Sequence, residues 1–212
     1  TVNLLKRLES SVYAFRLTAQ RIYELIDSTI NNLNRFANGQ RQLLEIDQTE
    51  SSDLDAEDAE NEFVGKKFKI ALEDIDYVSW LDKIEEDKKI LDDLLTMVSP
   101  VISEHDLKLK QLIEVLQDKI NNPINDSNKK VLIFTAYADT ADYLYGAISE
   151  RFYSELGINS AVITGSRNPA TTLKGIHADF NEVLTCFSPK SKNRNALYEK
   201  NPGDIDILIA TD

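Results

Sequence analysis

The chain holds one cysteine, Cys186, in 212 residues. No disulfide can close within it, which suits a reducing, cytoplasmic setting. Its two histidines, His105 and His177, stand far apart with no cysteine beside either. No metal site is therefore expected, and both histidines read as helix-surface residues. No apolar run approaches the ~20 residues of a membrane-spanning helix. No signal peptide opens the chain, so no membrane is expected among its partners. There is no G-x-x-x-x-G-K-S/T phosphate loop, so the chain is not expected to bind ATP tightly or hydrolyse it. No nucleophile-elbow pattern surrounds a serine, and Cys186 reads as a small buried residue. No catalytic residue is expected here. Cations are in the minority, with 24 Lys and Arg against 36 Asp and Glu and a formal net charge of −12. That argues against a broadly basic, nucleic-acid-coating surface and leaves room for a local basic track on one face.

What is present begins with helical patterning. Leu4, Leu8, Val12, Phe15, Ala19, Ile22, Ile26, Ile30 and Leu33 recur at steps of three and four. This stripe predicts one helix over residues 2–37, stopped at Asn38-Gly39. Such a helix is on the order of 50 Å long. A small domain cannot cover it, so it is expected to pack against another helix as a hairpin. Gln40 to Ile46 reads as a short further helix. Glu50, Asp53, Asp55, Glu57, Asp58, Glu60 and Glu62 follow with no basic residue among them. They mark residues 47–62 as a solvated acidic loop, and it lacks the central glycine of an EF-hand loop. Helical patterning resumes near Leu72, and Trp80, Ile84, Leu91, Leu94, Leu95 and Val98 form a stripe that ends at Ser99-Pro100. Ser103 is the expected N-cap of a third helix, with Asp106 in the position of a capping-box acid. Leu107, Leu112, Ile113, Leu116 and Ile120 supply its stripe, and Asn121-Asn122-Pro123 ends it.

The last third changes character. Three short runs rich in Val and Ile predict strands over residues 131–135, 160–164 and 205–210. A helix over residues 140–156, with Asp139 as N-cap and Gly157 as its stop, separates the first two. Gly165-Ser166-Arg167-Asn168-Pro169 reads as a turn, and residues 171–187 as helix. Ser188 to Gly203 reads as a basic loop with room for one helical turn. The fold class expected is α/β: a partial parallel sheet over residues 123–212, preceded by a long-helix bundle or hairpin over residues 1–122. Ligands in such sheets lie at the carboxyl ends of the strands. Thr135, Thr164 to Ser166, and Thr211 with Asp212 are therefore expected along one edge. The chain starts at Thr1 rather than Met and stops just after a strand, so it reads as an excised part of a longer protein.

KVLIFTAYADTADYL resembles motif IV of superfamily-two helicases and translocases. AVITGS resembles the strand and glycine-containing turn that follow it, and IDILIATD resembles the start of motif V. The order and spacing resemble the second RecA-like lobe, the helicase C-terminal lobe of the P-loop NTPase-like fold, in the Swi/Snf-type branch that includes bacterial RapA-like proteins. The resemblance covers residues 129–212. LLKRLESSVYAF is similar to the segment that opens that lobe ahead of helical insertions, and HADFNEVLTCFSPKSKNR looks family-specific.

The resemblance implies roles. Thr135 and Ala136 would lie near the phosphodiester backbone. Thr164, Gly165 and Ser166 would turn hydroxyls and backbone N–H groups toward a phosphate, which glycine lets approach closely. Thr211 would contact a phosphate, and Asp212 would begin the loop that couples nucleic acid to the ATP cleft. Arg167, Lys190, Lys192 and Arg194 form either an electrostatic footprint or a solvated basic loop. ATP and Mg2+ would belong to the parent protein, whose first RecA-like lobe is an implied partner together with nucleic acid, double-stranded DNA foremost. Two other readings stay open: a non-motor α/β binding module with a helical protein-interaction arm, and a doubly wound enzyme domain unrelated to helicases.

Overall fold

The computed structural model describes residues 2–38, 44–45, 69–70, 76–198 and 200–211. They form two compact units, Thr1–Val101 and Ile102–Asp212. Among the described residues no helix is long and apolar enough to cross a membrane. The acidic loop at 47–62 lies outside the described residues.

In the first unit the expected single long helix is two, α1 (Val2–Ser10) and α2 (Val12–Ala37). The break is Ser11, whose backbone is extended and whose hydroxyl accepts the Ala14 N–H at 3.0 Å. A serine that bonds the backbone locally offers the chain an alternative to continued helix. The stripe is buried at Phe15, Ala19, Ile30 and Leu33 on α2, whereas Leu8 on α1 is exposed. α3 (Tyr77–Val98) starts at the N-cap Asp76, which accepts from Ser79 N–H at 3.2 Å. α2 and α3 pack as the expected hairpin, antiparallel. Phe15 and Ala19 meet Leu91, Leu95 and Val98, while Ile30 and Leu33 meet Ile84, Trp80 and Tyr77. Lys88 ties the pair to Asp27 at 2.5 Å and lies over the Tyr23 ring. β1 (Leu44–Glu45) and β2 (Lys69–Ile70) pair antiparallel, which corrects the helix expected at 40–46 where it is described. A helix that short is marginal alone.

The second unit begins earlier than residue 123. A 3-10 turn at Ser103–His105 precedes α4 (Leu107–Asn121). Its N-cap is Asp106 rather than Ser103: the carboxylate accepts the Leu109 N–H at 3.0 Å and the Tyr143 hydroxyl at 2.9 Å. α4 belongs with the sheet because Leu109, Leu116 and Ile120 share a core with Ile148, Phe152, Val162, Ile207 and Ile209.

The strands are β3 (Val131–Phe134), β4 (Ser160–Thr164), β5 (Arg167–Thr171) and β6 (Ile207–Ala210), in the order β3-β6-β4-β5. β3, β6 and β4 are parallel, as expected, and β5 is antiparallel to β4. The sheet is therefore mixed. Residues 167–171, divided in sequence between a turn and a helix, make a tight hairpin from Gly165-Ser166. The helix expected from 171 starts only at α6 (Phe180–Phe187), where the Asp179 side chain accepts the Glu182 N–H at 2.9 Å. α5 (Ala138–Leu156) covers one face and closes at Gly157 in the left-handed region, as expected. Its N-cap position is Tyr137; Asp139 is buried within its first turn. α6 covers the other face with Val183 and Cys186 against Ala161 and Leu208. β6 is buried throughout, but the edge strand β3 leaves Leu132 and Phe134 exposed. Two apolar faces in sequence do not guarantee two covered faces at an edge.

Gly203 sits at φ 113°, and a Cβ there would meet Leu173 Cδ1 at 2.9 Å. The leucine end can give way; the backbone angle cannot. Gly203→Ala is expected to lower stability by about 1–2 kcal/mol, read as a shift in the urea midpoint at unchanged slope.

Candidate nucleic-acid interface

Parallel pairing fixes the carboxyl ends of β3, β6 and β4 on one edge. Phe134 pairs with Ala210, and Ala210 with Ile163. Thr135 N–H donates to Ala210 O at 3.0 Å, and Thr211 N–H to Ile163 O at 3.1 Å. The residues that follow the ladder therefore stand in the row Thr135, Thr211, Thr164, neighbours being about 4.8 Å apart as strands are.

These residues are not equally open. Ala136, Gly165 and Ser166 are exposed, and Thr135 and Thr211 are half-buried. The Thr135 hydroxyl oxygen accepts the Tyr137 N–H at 3.5 Å, so its orientation is set locally. Thr164 is buried, and its Oγ1 has no hydrogen-bond partner among the described residues. Asp212 lies outside the described residues.

The four expected cations separate. Lys190 and Lys192 are exposed. Arg167, half-exposed, forms an ion pair with Asp142 on α5. Arg194 does not belong to a solvated footprint. It opens a one-turn helix, α7 (Arg194–Leu197), its side chain is 7% exposed, and its Nη1 donates at 2.6 Å to both Gly203 O and Asp204 Oδ1. Lys130 joins the same group, reaching Ile205 O at 2.7 Å, Asp204 at 3.2 Å and Asp206 at 3.3 Å. Burial pushes the Asp204 carboxyl up, but the hydrogen bonds from Arg194 and Lys130 outweigh it and hold the group below its ordinary value. These contacts fasten the segment before β6 at the amino ends of the strands, away from the threonine row. Sequence reading missed this cluster because its members come from separate loops. The single helical turn for which the basic loop leaves room is the one formed by Arg194–Leu197.

Cys186 is fully buried beside Arg194. Burial pushes its thiol up, with the guanidinium drawing it the other way. A protonated, enclosed thiol is a packing group. His105 and His177 are exposed. Among the described residues no three His, Cys, Asp or Glu gather where they could hold a metal ion.

The arrangement thus offers the half-buried hydroxyls of Thr135 and Thr211 and the exposed backbone of Ala136, Gly165 and Ser166 at one sheet edge, with Arg167 beside it; the Thr135 and Thr211 N–H groups are engaged in the sheet and Thr164 is covered. That chemistry suits a phosphate chain, because N–H and O–H donors contact phosphate oxygens without reading bases. Comparison with known proteins returns no matching family model, no similar curated protein and no similar solved structure.

Proposed function

We propose that the chain is part of an ATP-driven nucleic-acid translocase or helicase of the Swi/Snf-like branch, acting on double-stranded DNA in the cytoplasm. Its share of the work is to hold the phosphate backbone. The observation that carries this reading is the row Thr135, Thr211 and Thr164: three motif-like runs, scattered in sequence, end side by side on one sheet edge. Gly165 and Ser166 extend that row as an exposed turn. Hydroxyl and backbone donors there position a strand in register, and successive grip and release by two lobes moves the enzyme along it.

The chain's own residues do not fit ATP and Mg2+. It has no phosphate loop, so both belong to the first RecA-like lobe of the longer protein. Asp212 is assigned the coupling of nucleic acid to the ATP cleft, and the helical unit grips duplex or a protein partner. Lys190, Lys192 and Arg167 add charge; Arg194 does not.

The test is ATP hydrolysis by the full-length protein with and without duplex DNA, alongside Thr211→Ala. DNA-stimulated turnover is expected. Loss of one hydrogen bond in Thr211→Ala should weaken the stimulation by roughly two- to tenfold. A folded, intact parent that hydrolyses no ATP overturns the motor and leaves an α/β binding module with a helical arm.

A further inference from the structure

Arg167 and Thr164 stand directly opposite each other across β4 and β5. Directly opposed residues in an antiparallel pair share a face of the sheet. On that face Arg167 reaches Asp142, in the second turn of α5. Three features meet there. The pair is open to water, at 51% and 26% side-chain exposure. The Gly165-Ser166 turn next to it is exposed. Thr164 Oγ1, at the start of that turn, is covered and has no hydrogen-bond partner among the described residues.

An ion pair this exposed holds its members weakly. A guanidinium also matches a phosphate as well as it matches a carboxylate, with two parallel donors. A buried hydroxyl without a partner is uncommon in a folded protein, so Thr164 Oγ1 marks a corner of the sheet whose hydrogen bonding is incomplete among the described residues. We propose that Asp142 keeps Arg167 in reserve when no nucleic acid is bound, and that a backbone phosphate seated at Gly165-Ser166 takes the guanidinium from it. Asp142 is then a restraint on the site, and Arg167 a ligand that arrives with the phosphate. The inference rests on the nucleic-acid reading above.

The test uses the full-length protein, without nucleotide, and a fluorescent duplex DNA, titrated at several salt concentrations. The variants are Asp142→Asn, Arg167→Gln and the two combined, with thermal melts to establish that each folds. Asp142→Asn should tighten binding roughly two- to fivefold, the strength of an exposed ion pair. Arg167→Gln should weaken binding and lower the slope of log affinity against log salt by about one. Adding Asp142→Asn to Arg167→Gln should change nothing further. Tightening that persists without Arg167 means a plain charge effect and overturns the restraint. Unchanged or weaker binding in Asp142→Asn overturns it as well, and weaker binding makes Asp142 the residue that orients Arg167. If the unaltered protein binds no duplex at any salt concentration, the nucleic-acid reading fails with it; binding without the Asp142 response defeats the restraint alone.

Discussion

Phe152→Ala is expected to destabilise the protein by about 4 kcal/mol. Phe152 is 1% exposed and lies in the core that α4, α5, β4 and β6 build together. Ile148, Leu116 and Val162 are in the same core. Those neighbours belong to three different elements, so they cannot collapse into the gap by a simple rotamer change. Removing the ring therefore costs the transfer of its surface and leaves a cavity behind. The effect is read from urea unfolding followed by far-UV circular dichroism, as a lower midpoint with little change in slope. Phe152→Leu, which keeps most of the volume, should cost about 1 kcal/mol. A loss below about 1.5 kcal/mol in Phe152→Ala would mean that α5 does not seat on the sheet as described. The threonine row would then lose its support, because α5 starts immediately after Thr135 and Ala136.

Arg194→Met should lower stability by about 2–3 kcal/mol near neutral pH. The side chain is enclosed, and its two short hydrogen bonds hold Gly203 O and Asp204. Methionine keeps the stem and loses both bonds. The cost stays moderate because Asp204 is 44% exposed and can turn to water. The pH dependence gives a second signature. Asp204 titrates below its ordinary value near 3.8. A carboxyl depressed on folding stabilises the protein fully at pH above that ordinary value, and the contribution is lost as pH falls through the depressed one. The unaltered protein should therefore lose stability below about pH 4 more steeply than Arg194→Met, since the variant has already lost the main cause of the shift. Midpoints measured from pH 2 to pH 7 decide it; parallel curves would show that Arg194 does not govern Asp204.

The strands and the edge they share were legible because buried strands announce themselves. Val131 to Phe134, Ser160 to Thr164 and Ile207 to Ala210 are compact apolar runs, and helix-length connections force them parallel. That alone predicts Thr135, Thr164 and Thr211 on one edge. Arg167 to Thr171 was illegible because Arg–Asn–Pro–Ala–Thr carries no strand pattern. It becomes a strand because the Gly165-Ser166 turn folds it back onto β4, where Ala170 and Thr171 meet Val162 and Ala161. Ser11 illustrates the reverse case: the periodicity runs through the break without a gap, and only the hydroxyl bond to Ala14 reveals it.

Period and composition determined by themselves the long helices of the first part, the three apolar strands and the absence of a phosphate loop. These are properties of local pattern, which side-chain alternation fixes before any distant contact forms. The tertiary structure alone decided which charges are structural and which are available. Arg194 and Arg167 look alike in sequence; one is enclosed by Gly203 and Asp204, the other half-open against Asp142. The fate of a charge depends on the dielectric and the partners around it, and distant parts of the chain supply both.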